Sequence, residues 1–424
     1  MLDKRLIPPA DHLRSIIPEK SLLSNGRPLY LFHSTSVDIL KLDLIFNAGS
    51  AYQPKPLCAG IARDMMLEAS LSHHASEVAE LFDRLGVVID RDMSATSIKL
   101  SVYVLKKYIQ QVYPLLRELM CQPHLGTKEF HVLQAKRRQA LLANQHKTSI
   151  VARNIFYEAL YGNQHPEGRY AKPGDEKNIT LEDIRHYVEQ HFQLHDATII
   201  LSGNYDEADI QLIDDCFSKD TVVIPTNNTS LQDFPIISSV KQKYRQYVPA
   251  CVQTTLRIGR LLPFDWNSMD YAYFLVLNTV LGGYFGSRLM TNIREEKGYT
   301  YGINSMTNLL RDSIVFYITT DVANEVADAA LAEIYNEIEK LCSEPIRNDE
   351  LNLACNYMAG DFLRTIDGIF ERSERFYGML DQLVDERFSE NLFDALSSVT
   401  PSKLTDIAKR TLSSLELYEV VAGG

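Results

Sequence analysis

Short stretches in which apolar and polar residues alternate recur along this chain, each followed by apolar residues at helical spacing. From Ser97, "SIKLSVYVLKKYIQQVYPLLRELMCQP" first alternates with a period of two and then sets Ile109, Val112, Leu115, Leu116 and Leu119 on one stripe. This is the pattern of a strand entering an amphipathic helix. From Asp312, "DSIVFYITTDVANEVADAALAEIYNEIEKLCSEP" repeats the plan, with Val326, Ala330, Ile334, Ile338 and Leu341 on the stripe and a Cys and a Pro again at its end. Each copy leads into an acidic helix start, "TKEFHVLQAKRRQALLAN" or "NDELNLACNYMAGDFL", with Thr127 or Asn348 as the capping residue ahead of a Glu. Upstream, "DILKLDLIFNAGSAY" and "CVQTTLRIGRLLPF" each read as a strand, followed by helices over 58–71 and about 269–281.

The chain is therefore two copies of one unit. "PTNNTSLQDFP" at 225–235 has two prolines and little apolar content, as a linker requires. The expected organisation is an N-terminal domain over 1–225, a linker over 226–235 and a C-terminal domain over 236–424. Alternation in "IKLSVYV" and "IVFYI" favours antiparallel sheets over a parallel doubly wound one. The fold class is α+β, two homologous halves, each a mostly antiparallel β-sheet with helices packed on one face.

Composition narrows the function classes. The 424 residues are 45% hydrophobic and 23% charged, which is globular, and the net charge of -12 argues against a nucleic-acid footprint. No stretch approaches the ~18 apolar residues of a membrane span. "MLDKRLIPPADHLRSIIPEK" at 1–20 lacks the apolar run of a signal peptide, and the six cysteines form no CxxC pair. Both point to reduced thiols and a cytoplasmic location. The partner expected on these grounds is a protein or peptide.

Five stretches carry a resemblance: "FNAGSAYQP" (46–54), "AELFDRLGVVID" (79–90), "YGNQHPEGR" (161–169), "ATIILSGN" (197–204) and "LGGYFGSRLMTNIREEKGYTYGINS" (281–305). In this order, on a duplicated α+β chain, the sequence resembles the M16 metallopeptidases of the insulinase and pitrilysin type. Its nearest likeness is the processing-peptidase-like M16B branch, and the implied fold is the M16/LuxS-like one. Active members of that family carry HxxEH on the first helix of the first half, where two histidines one turn apart bind zinc and the Glu is the general base. The resemblance places Arg63 and Leu67 at the histidines, Met66 at the glutamate, and Asn144 at a third ligand, a later glutamate. Arg63 has no lone pair to give, Leu67 has no donor atom, and Met66 takes no proton near neutral pH. No metal is expected to be bound by this chain.

No other histidine set replaces them, for all eleven histidines lie at or before His195. In "HFQLH" (191–195) the spacing suits a metal but Leu194 stands where a catalytic Glu would be, so these read as histidines at a helix C-terminus. His73 and His74 are adjacent and point about 100° apart on a helix, so they read as a polar connection. "KRR" at 136–138 reads as a solvated helix face.

The resemblance also implies a retained function. Arg294 and Tyr301 fall on the family's Arg/Tyr pair, which reaches from the second half to the zinc site and holds the substrate backbone; Tyr299 is the alternative to Tyr301. From the local string alone, Arg294 in "REEK" reads as a surface charge paired with Glu. The implied role is that of a heterodimer subunit, inactive alone, whose HxxEH-bearing M16 partner holds the zinc while Arg294 and Tyr301 act in trans on a peptide. The rivals are a structural, core-like subunit and a peptide-binding homodimer.

Overall fold

The computed structural model describes residues 16–218 and 234–424, so most of the expected linker at 226–235 lies outside the described residues. The first half contributes strands β1 (Glu19–Leu22), β2 (Pro28–His33), β3 (Ile39–Phe46), β4 (Val88–Met93), β5 (Ile98–Leu105) and β6 (Thr198–Gly203). Its helices are α1 (Cys58–Met65), α2 (Ala75–Leu85), α3 (Ile109–Cys121), α4 (Thr127–Asn144), α5 (Thr148–Tyr161), α6 (Leu181–His191) and α7 (Glu207–Phe217). The second half has β7 (Lys243–Tyr247), β8 (Gln253–Leu261), β9 (Ile303–Leu310), β10 (Ser313–Ala323) and β11 (Tyr418–Gly423). Its helices are α8 (Met269–Asn278), α9 (Ala327–Ser343), α10 (Asn348–Arg364), α11 (Ile369–Gln382), α12 (Arg387–Ser398) and α13 (Pro401–Thr411).

The duplication is written in the strand order. The first sheet runs β1-β2-β6-β3-β5-β4 and the second β7-β11-β8-β10-β9, so without β1 the two orders coincide. In each, one pair is parallel, β2 with β6 and β7 with β11, and the other neighbours are antiparallel. Two local expectations shift. The helix expected over 58–71 stops at Met65, and Thr127 and Asn348 are first helical residues rather than caps, preceded by Gly126 and Arg347.

Strand alternation sends Leu40, Leu42, Leu44 and Phe46 to one face of the first sheet, where they join a core with α1, α3 and α6. The intervening Lys41 and Asp43 would be solvated if only that face were covered, yet both are fully buried. The cover is α11, a helix of the other half, which lies against β2 and β6. Phe376 meets Tyr30 and Phe32 edge-on, and Phe370 meets Tyr103. The exchange is mutual: α5 of the first half crosses β8 and β11 of the second sheet and builds a separate core with Val315, Tyr317, Val420 and Ala422. There Arg257 is stacked 4.0 Å from the Tyr317 ring, and Thr255 donates to Thr148 on α5 at 2.9 Å.

Charges cross this seam. Lys41 Nζ donates to Asp43 Oδ2 at 2.9 Å and to Ser373 Oγ at 3.2 Å, and Glu374 of α11 accepts from both Lys41 and Lys99. Burial pushes the Glu374 carboxyl up, but the two lysines outweigh it and hold it below its ordinary range. Nearby, His165 is fully buried, accepts from the Glu167 N–H through Nδ1 at 3.2 Å and has Nε2 3.7 Å from Asp312 Oδ2 of the second half. Desolvation, reinforced by Asp312 and Asp381 and opposed by His165, pushes the Glu167 carboxyl up to about 6.

Glu374→Gln leaves two buried ammonium groups short of a carboxylate and is expected to cost about 3 kcal/mol in urea unfolding. Removing the exposed Arg410–Asp270 pair should cost about 0.5 kcal/mol or less. Equal effects would mean that the seam charges are not what hold α11 in place. A raised carboxyl favours the fold below its ordinary pKa of 4.5 and loses that contribution as pH rises through about 6. Glu167→Gln is therefore expected to flatten the fall in unfolding free energy over that window, and an unchanged pH profile would refute the assignment.

Candidate functional site

The helix that would hold zinc is short and closed. After Met65 the chain leaves the helix: Met66 is extended (ψ 144) and Leu67 takes a left-handed backbone (φ 62) that side-chain-bearing residues seldom adopt. Residues 63 and 67 thus do not stand one turn apart on a helical face. Met66 and Leu67 are both buried in the first core, where their side chains fill space rather than face a chamber.

Arg63 points to charge instead. Its Nε and Nη2 both donate to Asp64 Oδ1, at 2.9 and 2.7 Å, while Arg137 of α4 binds Asp64 Oδ2 and donates to the Gly60 carbonyl at 3.3 Å. Arg91 of β4 donates to the Met66 carbonyl at 3.4 Å. Asn144 is the last residue of α4, about two turns beyond Arg137, the α4 side chain that binds Asp64 and Gly60 of α1. Guanidinium groups supply the cation here, and a zinc ion does not fit among them. Arg137 also corrects the reading of "KRR" as a wholly solvated face, because it is only 28% exposed and ion-paired.

The histidines divide as structural groups. Helix α6 ends at His191, whose Nδ1 lies 3.1 Å from the Asn47 carbonyl, and burial holds its ring below the usual histidine range. His195 follows in a separate turn beside Asp196. His73 Nδ1 lies 3.1 Å from Glu118, and His74 caps α2. Among the described residues no three His, Cys, Asp or Glu side chains converge as metal ligands.

The second half presents a different picture. Helix α8 continues into a π-turn at Thr279–Gly283, and a second π-turn covers Met290–Glu296. Such widened turns re-aim the residues that follow and are frequent at functional sites. Gly282 lets the first turn press on β9, since a Cβ there would sit 2.7 Å from the Ser305 backbone nitrogen. Arg294, in the second π-turn, has its guanidinium carbon 4.5 Å from the centre of the Phe285 ring. No carboxylate pairs with it among the described residues, so the reading of "REEK" as a local ion pair is replaced by a cation over an aromatic face. Gly298 turns the chain (φ 69), Tyr299 packs on the second core, and Tyr301 stands 94% exposed. Of the two tyrosines, Tyr301 is the more exposed and Tyr299 is partly buried.

The residues that sequence reasoning missed are Phe285, Arg137 and Asp64. Phe285 had a signal, one of two aromatics, with Tyr284, set between Gly283 and Gly286, whereas the Arg137–Asp64 contact spans two helices and has none.

The profile of the peptidase M16 inactive domain matches residues 178–358, which include Arg294 and Tyr301. The chain is M16-like. An uncharacterized zinc protease of Rickettsia bellii is 22% identical over 95% of this chain and 96% of its own length. A non-peptidase homolog of Helicobacter pylori, YmxG, is 20% identical over 87% of this chain and 85% of its own length. Among solved structures, a peptidase M16 inactive domain from Pseudomonas fluorescens superposes with a TM-score of 0.80 at 19% identity, covering 96% of this chain and 98% of that one. A protease from Helicobacter pylori superposes at 0.82 with 18% identity, over 96% of this chain and 100% of that one. The M16-like fold thus spans both halves.

Restoring the motif letters is not expected to restore the metal. The triple variant Arg63→His, Met66→Glu, Leu67→His should hold no stoichiometric zinc after dialysis, because α1 ends before residue 67. One zinc per chain by elemental analysis would show that the helix can be extended by its ligands.

Proposed function

We propose that this chain is the non-zinc-binding subunit of a heterodimeric, M16B-type zinc peptidase. It closes a chamber with an HxxEH-bearing partner, and the partner supplies the zinc that activates water. The observation that carries this reading is the contrast within one chain: the residues at 63, 66 and 67 are engaged in packing and ion pairs, whereas among the described residues Arg294 has no carboxylate partner and Tyr301 is exposed. A structural subunit gains nothing from a guanidinium held without a carboxylate among the described residues or from an exposed tyrosine.

The chemistry follows from the two side chains. Arg294 is a permanent forked donor suited to a peptide carbonyl, and it orients the substrate backbone. Tyr301 donates its hydroxyl to the oxygen that becomes negative as water attacks the scissile carbonyl. A chamber closed by two such subunits takes short or unfolded peptides in preference to folded proteins. No described helix is long and apolar enough to cross a membrane, and the acidic surface speaks for a peptide substrate rather than a nucleic acid.

The test is reconstitution with the cognate HxxEH-bearing chain. Mixing is expected to raise peptidase activity above that of either chain. Tyr301→Phe should lower kcat by about 10²-fold, the usual loss for one oxyanion donor, and Arg294→Ala should raise KM most. Activity unchanged by mixing, or by either substitution in the mixture, would sink the proposal. A homodimer that binds peptides without cleavage would favour a binding module, and recovery within a large membrane assembly a structural subunit.

A further inference from the structure

We infer that Phe285 is the positioning residue of the Arg294 site, resting on the function proposed above. Phe285 and Arg294 are nine positions apart, beyond the reach of neighbouring helical turns, and the two π-turns with the bend between them bring the pair together. The bend is fixed from below. Leu281, Leu289 and Ile293 are fully buried in the second core, and Tyr284 packs against Tyr357 with tilted rings 5.1 Å apart.

Phe285, by contrast, is 62% exposed, and the Arg294 guanidinium lies 4.5 Å from the centre of its ring. An apolar ring left in water in the middle of a well-packed bend is not there for the core. Its effect is on the arginine. Without a partner a four-bond side chain samples many rotamers, and two glutamates, Glu295 and Glu296, follow it directly. A guanidinium held over a ring by its charge spends none of its N–H donors on that contact, which leaves them free to bind a carbonyl. The ring thus orders the arginine without using any of its donors, which an acidic partner would consume.

Two measurements test this. In the isolated chain, the Arg294 Nε–H resonance is expected to be shifted by the Phe285 ring current, to move toward the unshifted position in Phe285→Leu, and to stay shifted in Phe285→Tyr. In the reconstituted peptidase, Phe285→Leu is expected to raise KM about two- to fivefold with kcat little changed, and Phe285→Tyr to restore it. The exposed site leaves the fold intact, which an unchanged melting temperature would verify. An unmoved resonance in Phe285→Leu overturns the inference whatever the partner does. So does an unchanged KM in a mixture that Arg294→Ala cripples. If Arg294→Ala itself costs nothing, the proposed function fails first and this role with it.

Discussion

Lys41 and Lys99 are buried to their tips in the first sheet, and the Glu374 carboxylate that accepts from both belongs to a helix of the second half. Asp43 and Asp92 of the same half pair with one lysine each, and Glu374 is the carboxylate that the two buried ammonium groups share across the seam. Each half is therefore incomplete by itself. Its outer face is a conventional apolar core, but its inner face needs the helix lent by the other half, α11 for the first sheet and α5 for the second. The exchange joins two repeats into one body more firmly than a polar linker could.

This arrangement explains where chemistry can and cannot reside. In the first half, α1 is pressed between the sheet and its own helices and is cut short at Met65, so the residues after it turn into the core. Asp64 then serves as the meeting point of two arginines, an arrangement that satisfies charge locally and leaves no room for a metal. In the second half, the equivalent α8 is extended by π-turns whose anchors are buried and whose bend is not. Rigid support below and exposed polar and aromatic groups above are the conditions for a pre-organised binding surface.

Much of the fold was legible because duplication is a pattern in sequence. Strand-then-helix units around 97–123 and 312–345 gave the two halves, and the matching strand orders follow from it. The alternation of "LKLDLIF" also separated the two faces of β3. What it could not tell was that the polar face would be covered, since a lysine facing water and a lysine facing a glutamate on another domain look alike in one strand. The extent of α1 was misjudged for a related reason: the apolar spacing through Leu67 suits a helix, but core packing turned the chain before it.

The candidate site divides along the same line. That no HxxEH motif stands at 63, 66 and 67 is a matter of residue types, because arginine has no lone pair to give, leucine has no donor atom, and a methionine thioether cannot act as a general base. The sequence alone determined this, along with the twofold organisation and the positions of Arg294 and Tyr301. Only the tertiary structure decided that Arg294 lies over Phe285, that Tyr301 is exposed while Tyr299 is partly buried, and that Arg137 of α4 joins Asp64 of α1. Each of these depends on which side chains are brought within a few ångströms by turns and helices far apart in the chain, and hydrogen bonds and ring contacts act only at that range.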